Sequence, residues 1–173
     1  ANKLAKSDIG PNKIVAIVAE RNIRFISKLI GVIKSGACFV ILDPGYPVER
    51  INLILEQADP DAIFVPDTLS KESNISSLIL DSNWLSDMAD ISSSKPDIMI
   101  SPEILCCLAF TSGSTGIPKG ILSTHAPLAH FIQWHIETHD FSASDRFSML
   151  SGLAHDPLLR DIFTPLAVGA TLC

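Results

Sequence analysis

Charge is scarce in this sequence, and so are the features that a nucleic acid, a bilayer or a metal would need. Only 18% of the 173 residues are charged, and 13 Lys+Arg against 19 Asp+Glu leave a net charge of −6. That balance speaks against a basic groove for nucleic acid or a polybasic patch for anionic lipid. No apolar run approaches the ~20 residues that cross a bilayer, and no signal-peptide pattern is read at the start. Cys38, Cys106, Cys107 and Cys173 lack the spacing of a metal site or a disulfide framework. No metal-ligating set is expected, and a reducing cytoplasm is the expected compartment. There is no internal repeat.

What is present is apolar residues, 47% of the chain, enough for one domain with a real core. Residues 1–7 read as the end of an amphipathic helix stopped by Gly10-Pro11. Ile14 to Ala19 is a continuous apolar run of the kind buried on both faces of a parallel sheet. From Asn22 the period changes: Ile23, Ile26, Ile30 and Ile33 form a helical stripe that ends near Ser35-Gly36. Ala37 to Leu42 is a second strand, and Pro47 starts a second helix with Ile51, Ile54, Leu55 and Ala58 inward. Between them, Asp43-Pro44 and Tyr46-Pro47 set a sharp turn, with Glu49 and Arg50 expected on the exposed face. A third strand, Ala62 to Val65, completes a βαβαβ unit over 1–65. The serine-rich stretch 66–102 is expected to be a surface connection with one or two short elements. Over 103–173 the pattern predicts strands at Ile104–Phe110, Ile121-Leu122, Phe147–Leu150 and Ala170–Cys173. A helix is predicted from near Pro127 to about Thr138, with Thr124 able to cap it, and another from Asp156-Pro157 to Gly169. Leu158, Leu159, Ile162, Phe163 and Leu166 are its predicted core face. The fold class is α/β, a mainly parallel sheet flanked by helices.

The chemistry concentrates in Thr111-Ser112-Gly113-Ser114-Thr115-Gly116-Ile117-Pro118-Lys119-Gly120, with three glycines, four hydroxyls and one lysine. A strand that empties into such a loop can turn backbone N–H groups toward an anion, add hydroxyl donors and supply a cation. An ordinary Ser/Gly turn is the plain alternative, and this density argues against it. The loop is not a Walker A loop: Pro118 stands where the second glycine belongs, and Gly120 follows the lysine. A dinucleotide G-x-G-x-x-G fails as well.

Leu108 to Gly120 resembles the phosphate-loop signature of the adenylate-forming superfamily of acyl-CoA synthetases, luciferases and adenylation domains of nonribosomal peptide synthetases. Ile33 to Ile51, with Asp43-Pro44-Gly45-Tyr46-Pro47 at its centre, looks like the motif near the start of peptide-synthetase adenylation domains. His155-Asp156-Pro157 to Phe163, closing on Gly169 to Leu172, sits where that family has its aromatic-Asp motif. The resemblance spans the chain, and implies the partial N-terminal core of an adenylation domain. It implies an intact enzyme that uses ATP and Mg2+ to convert a carboxylic acid to an acyl-adenylate, releasing pyrophosphate. The acyl group then passes to the phosphopantetheine of a carrier domain.

By that resemblance Thr111, Ser112, Gly113, Ser114, Thr115, Gly116 and Lys119 hold the β- and γ-phosphates. His155, where the family usually has Phe, lies beside the reacting carboxylate, so His155 and Lys119 are the candidate catalytic residues. Asp156 pairs with an α-ammonium, and Pro157 and Arg160 help line the substrate pocket. The run Ser148 to Pro157 with Arg160 is also similar to fungal α-aminoadipate reductases, so Arg160 is a candidate grip for a distal carboxylate. The residues by themselves allow plainer roles. Asp156 can cap its helix, and Asp156 with Arg160 makes an i,i+4 pair of roughly 0.2–0.5 kcal/mol. Arg160 can also pair with Asp161.

The alternatives to an amino-acid adenylating enzyme are an acyl- or aryl-CoA synthetase, the adenylation part of an α-aminoadipate-type carboxylate reductase, and a nucleotide-binding segment without turnover. A phosphoryl-transferring NTPase is disfavoured by the failed Walker pattern. Opening on Ala1 and closing on Cys173 inside an apolar run, the chain reads as a segment of something larger, inactive by itself. His125, His130, His135 and His139 are expected to be surface histidines, since Ile136 stands where a zinc helix needs Glu.

Overall fold

The computed structural model describes residues 1–66, 77–81, 84, 86, 91–111 and 117–173. Five strands run parallel and one antiparallel in a single sheet of order β4-β3-β1-β2-β5-β6. They are β1 (Ile14–Val18), β2 (Cys38–Leu42), β3 (Ala62–Phe64), β4 (Leu78–Leu80), β5 (Leu105–Thr111) and β6 (Lys119–Thr124). The helices are α1 (Asn2–Lys6), α2 (Ile23–Lys34), α3 (Val48–Ala58), α4 (His125–His139) and α5 (Pro157–Val168). A separate pair, β7 (Arg146–Phe147) with β8 (Thr171–Leu172), is parallel.

The chain steps from β1 to β2 on one side, then back past β1 to β3 on the other. Crossovers of one hand then require α2 and α3 to cover opposite faces. The cores follow this rule. Val15, Ile17 and Phe39 pack with Phe25, Leu29 and Val32 of α2 and Leu158 and Ile162 of α5. Ala16, Val18, Val40 and Leu42 pack with Ile54 and Ala58 of α3. The period-2 alternation of a strand thus separates neighbours in β1 into two hydrophobic layers. Cys106 and Cys107 both join the first layer and Leu108 the second, because a bulge between Leu105 and Cys107 breaks the alternation.

Local chemistry sets the boundaries. Asn22 caps α2 by accepting from the Phe25 N–H at 2.9 Å. Gly169 closes α5 at φ 74°. The predicted surface connection contributes β4, whose Leu80 is fully buried, so part of it belongs to the core. The predicted strand at Phe147–Leu150 shortens to Arg146–Phe147, and α4 begins at His125 rather than Pro127. Within α5, Leu166 is exposed, and the buried face comprises Leu158, Asp161, Ile162, Thr164 and Pro165.

Candidate active site

In a parallel sheet, ligands gather beyond the carboxyl ends of the strands. Three connections leave β1, β2 and β5 there: Glu20-Arg21, Asp43–Pro47, and the glycine loop. Asp43 shapes the second, its Oδ1 accepting from the Gly45 N–H at 2.8 Å while its carbonyl accepts from Tyr46 N at 3.0 Å. Arg50 is half-buried rather than on the exposed face: its guanidinium lies 4.3 Å from the Tyr46 ring centre. Stacking on an aromatic face favours that position.

The glycine loop stands on a hairpin base. Thr111 pairs with Lys119 across the antiparallel β5–β6 ladder, and the Thr111 hydroxyl reaches the Lys119 carbonyl at a long 3.5 Å. Both residues are exposed. Gly120 sits opposite Phe110, and a Cβ there would come within 3.3 Å of the Phe110 ring, so the missing side chain leaves room for the aromatic. Ser112, Gly113, Ser114, Thr115 and Gly116 lie outside the described residues.

The segment carrying His155 and Asp156 is tied down by side chains. Met149 N donates to the Cys173 carbonyl at 3.3 Å, extending β7 by one contact. Arg21, at the end of β1, donates from Nη1 to the Met149 carbonyl and from Nη2 to the Ser151 carbonyl at 2.8 Å. Ser151 N donates to Asp161 Oδ2 at 3.1 Å, and Asp161 Oδ1 accepts from Arg160 Nε at 3.2 Å and Nη2 at 2.9 Å. Burial raises the Asp161 pKa, but the donors from Ser151 and Arg160 outweigh it and hold the carboxyl below its ordinary value. Next, His155 N donates to the Gly152 carbonyl at 3.1 Å, and the His155 ring covers Gly152 so closely that a Cβ would lie 2.9 Å from it.

Asp156 occupies the N-cap position of α5 but makes no side-chain cap bond. Its backbone is already helical (φ −49°, ψ −39°), whereas a capping side chain needs the extended conformation to reach back to the N–H groups. The expected cap is therefore not formed, and the i,i+4 pair is replaced by the Arg160–Asp161 pair at 2.9 Å. Asp156, an exposed residue, lines two cavities. One, about 30 Å³, lies between Tyr46, Phe110 and His155; the other, about 400 Å³, also takes in Pro157 and Arg160 and reaches Ile121 and Phe131. Four of the predicted site residues thus converge on the wall formed by β5, while Thr111 and Lys119 mark its loop end. Burial first, then the Asp156 charge, push the neighbouring Cys107 thiol up to about 11, which keeps it neutral and inert.

Residues 1–173 match the AMP-binding enzyme family. The chain belongs to that family. Over 99% of its length it is 33% identical to the L-2-aminoadipate reductase large subunit of Eremothecium gossypii, of which it spans 14%. It is 34% identical to tyrocidine synthase 3 of Brevibacillus parabrevis over 99% of this chain and 3% of that one. The crystal structure of the nonribosomal peptide synthetase FmoA3 matches with a TM-score of 0.86 at 24% identity, over 99% of this chain and 18% of that one. Such a likeness speaks for the fold alone.

This AMP-binding enzyme chain ties its site segment down with two charged residues given no such role by the motifs, Arg21 and Asp161, the latter expected only as a possible partner of Arg160. Asp161 had a signal: spaced three from Leu158 and one before Ile162, it falls on the buried face of α5, where a carboxylate requires donors. Arg21 had none. Of the four histidines, His130 and His139 are exposed as expected, whereas His125 and His135 are half-buried. His135 Nδ1 lies 3.0 Å from the Thr164 hydroxyl, joining α4 to α5. Among the described residues no three His, Cys, Asp or Glu could share a metal ion, and no helix is long and apolar enough to cross a membrane.

Proposed function

We propose that this chain forms the leaving-phosphate and ammonium-binding side of an amino-acid adenylating enzyme, active in the intact protein that carries it. Asp156 carries the reading: its carboxylate makes no cap bond, and the residue lines the cleft walled by the strand that runs into the glycine loop. A substrate α-ammonium at Asp156 would turn its carboxylate toward His155 and the loop. The substrate oxygen attacks the α-phosphorus, the bond to the β-phosphate bridge oxygen breaks, and pyrophosphate leaves as the acyl-adenylate forms. ATP, with Mg2+ neutralising its phosphates, would supply the adenylyl group. Thr111 and Lys119, with the loop between them, would hold the departing charge. A carrier thiol would then take the acyl group and release AMP.

Amino-acid-dependent ATP–pyrophosphate exchange by the intact protein tests this reading. Exchange with one or a few amino acids is expected; exchange with amine-free acids alone would remove the role given to Asp156. One observation favours a narrower version. Arg160 stands on the wall of the same cleft as Asp156, with its Nε and Nη2 turned to Asp161 and its Nη1 making no bond among the described residues. A dicarboxylic amino acid could place its distal carboxylate there, as the 33% identity to an L-2-aminoadipate reductase suggests. Exchange with L-2-aminoadipate, lost in Arg160→Ala while exchange with other amino acids persists, is the expected result.

A further inference from the structure

We infer that Arg21 is a positioning residue for the amino-acid site: it acts from the end of β1 to hold the irregular segment 149–151 that leads into His155 and Asp156. The inference rests on the adenylating reading above, but its geometry stands by itself. Residues 149–151 extend beyond β7 and leave carbonyls with no neighbouring strand to satisfy them. One guanidinium takes two of them, those of Met149 and Ser151, from a residue 128 and 130 positions earlier in sequence. On the amide side, Met149 N goes to Cys173 and Ser151 N to Asp161. Arg21 and Asp161 therefore grip the same residue, Ser151, through its carbonyl and its N–H.

What this grip orients lies one turn further on. The Gly152 carbonyl accepts from His155 N, the His155 carbonyl accepts from Leu158 N, and Asp156 opens α5 at the cleft. Leu158 is fully buried, so the far side of the turn is anchored in the core. The near side is held more lightly: after Met149, Leu150 is 80% exposed, and Leu153 packs against the core only partly buried. Without Arg21 the turn would keep its α5 end and the bonds of Met149 N and Ser151 N, and lose the tie of two carbonyls to the end of β1. His155 and Asp156, between the two, would shift relative to the β5 wall. Arginine suits the task because its planar fork presents two donors to two acceptors at once, whereas a lysine offers a point charge. An electrostatic role is secondary, since both acceptors are neutral carbonyls.

The test uses the intact protein and two independent readings. In Arg21→Ala, the KM for the amino acid in pyrophosphate exchange should rise on the order of tenfold or more, with the KM for ATP within about twofold of wild type. Arg21→Lys should recover only part of the loss. Arg24→Ala, an exposed residue in the first turn of α2 three positions further on, should match wild type in both constants. Hydrogen exchange supplies the second reading: amides of 151–155 should lose protection in Arg21→Ala, while those of α3 do not change. A parallel rise in both KM values would indicate general loosening and overturn the inference. Unchanged protection at 151–155 would overturn it whatever the kinetics. If Arg21→Ala does not fold, the same readings on Arg21→Lys decide. A wild-type protein with no amino-acid-dependent exchange would sink the adenylating reading, while hydrogen exchange still judges the grip.

Discussion

The two ends of the central sheet use the same chemistry for different purposes. At the amino end, Asp61 accepts from Lys13 Nζ through Oδ1 and from Ile14 N through Oδ2, both at 2.8 Å. Its own backbone joins Ile14 and Leu78, so one residue ties β1, β3 and β4 together. At the carboxyl end, Arg21 and Asp161 likewise satisfy backbone groups, but they serve a loop rather than a ladder. Beyond that loop stands Asp156, a carboxylate with no hydrogen bond or ion pair among the described residues. A carboxylate fully occupied at one end contributes stability. The other carboxylate is exposed and unbonded and lines a cleft of about 400 Å³, the arrangement on which its proposed ligand role rests.

The largest expected effect tests that contrast directly. Asp156→Asn keeps the side-chain shape and removes the charge. In the intact protein it should lower amino-acid-dependent exchange roughly ten- to a hundredfold, the range for losing a hydrogen bond to a charged group. Thermal stability should change little, because no cap bond is lost. An exchange rate within twofold of wild type would show that the open carboxylate is not a ligand group. A drop in the unfolding midpoint matching that of a lost helix cap would point to a structural role instead.

A smaller effect is expected from Gly152→Ala. The added methyl would come 2.9 Å from the His155 ring, whose exposed position lets it swing aside at low cost. Stability should therefore hardly change, while exchange falls roughly threefold to tenfold if the ring's placement beside the cleft matters. Unaltered kinetics with a displaced ring, visible as a shifted His155 imidazole resonance, would withdraw His155 from the reaction.

These contrasts show why some of the molecule was legible and some was not. The βαβαβ half could be read because its signals are local: continuous apolar strands, the Ile23–Ile33 stripe, and Asn22 and Gly36 near the ends of α2. Helix ends without glycine were harder, since α3 and α4 close on Asp59 and Asp140 in left-handed conformations that aspartate tolerates. The short strand β7 was over-extended because the pattern Phe147–Leu150 looks the same whether a strand or Arg21 takes the carbonyls. Of the candidate site, the motif singles out His155, Asp156, Pro157 and Arg160; His155 and Asp156 line one cavity, and Asp156, Pro157 and Arg160 the other. The loop residues Ser112–Gly116 were identified by density of glycine and hydroxyl, and they lie outside the described residues. Arg21 was invisible for a physical reason: its partners are backbone carbonyls, which carry no residue identity.

The smallest effect belongs to the amino end, and it should be confined to stability. Burial raises the Asp61 pKa, but Lys13 and the Ile14 N–H outweigh it, so the folded carboxyl titrates below its ordinary value. A depressed carboxyl contributes stability that is fully present above the unfolded value, about 3.9, and is lost as the pH falls through the folded one. Lys13 has the opposite sign: its pKa is raised by Asp61, so its share persists until the pH climbs through that raised value. Asp61→Asn should thus lower the apparent unfolding midpoint by about 2–4 °C at neutral pH, the modest size set by a partly exposed pair. The gap from wild type should close as the pH drops below about 4. The KM for the amino acid should not move, because nothing at this end faces the cleft that Asp156 borders. A changed KM in Asp61→Asn would mean that the two ends are coupled through the strands, and the division of labour between them would have to be abandoned.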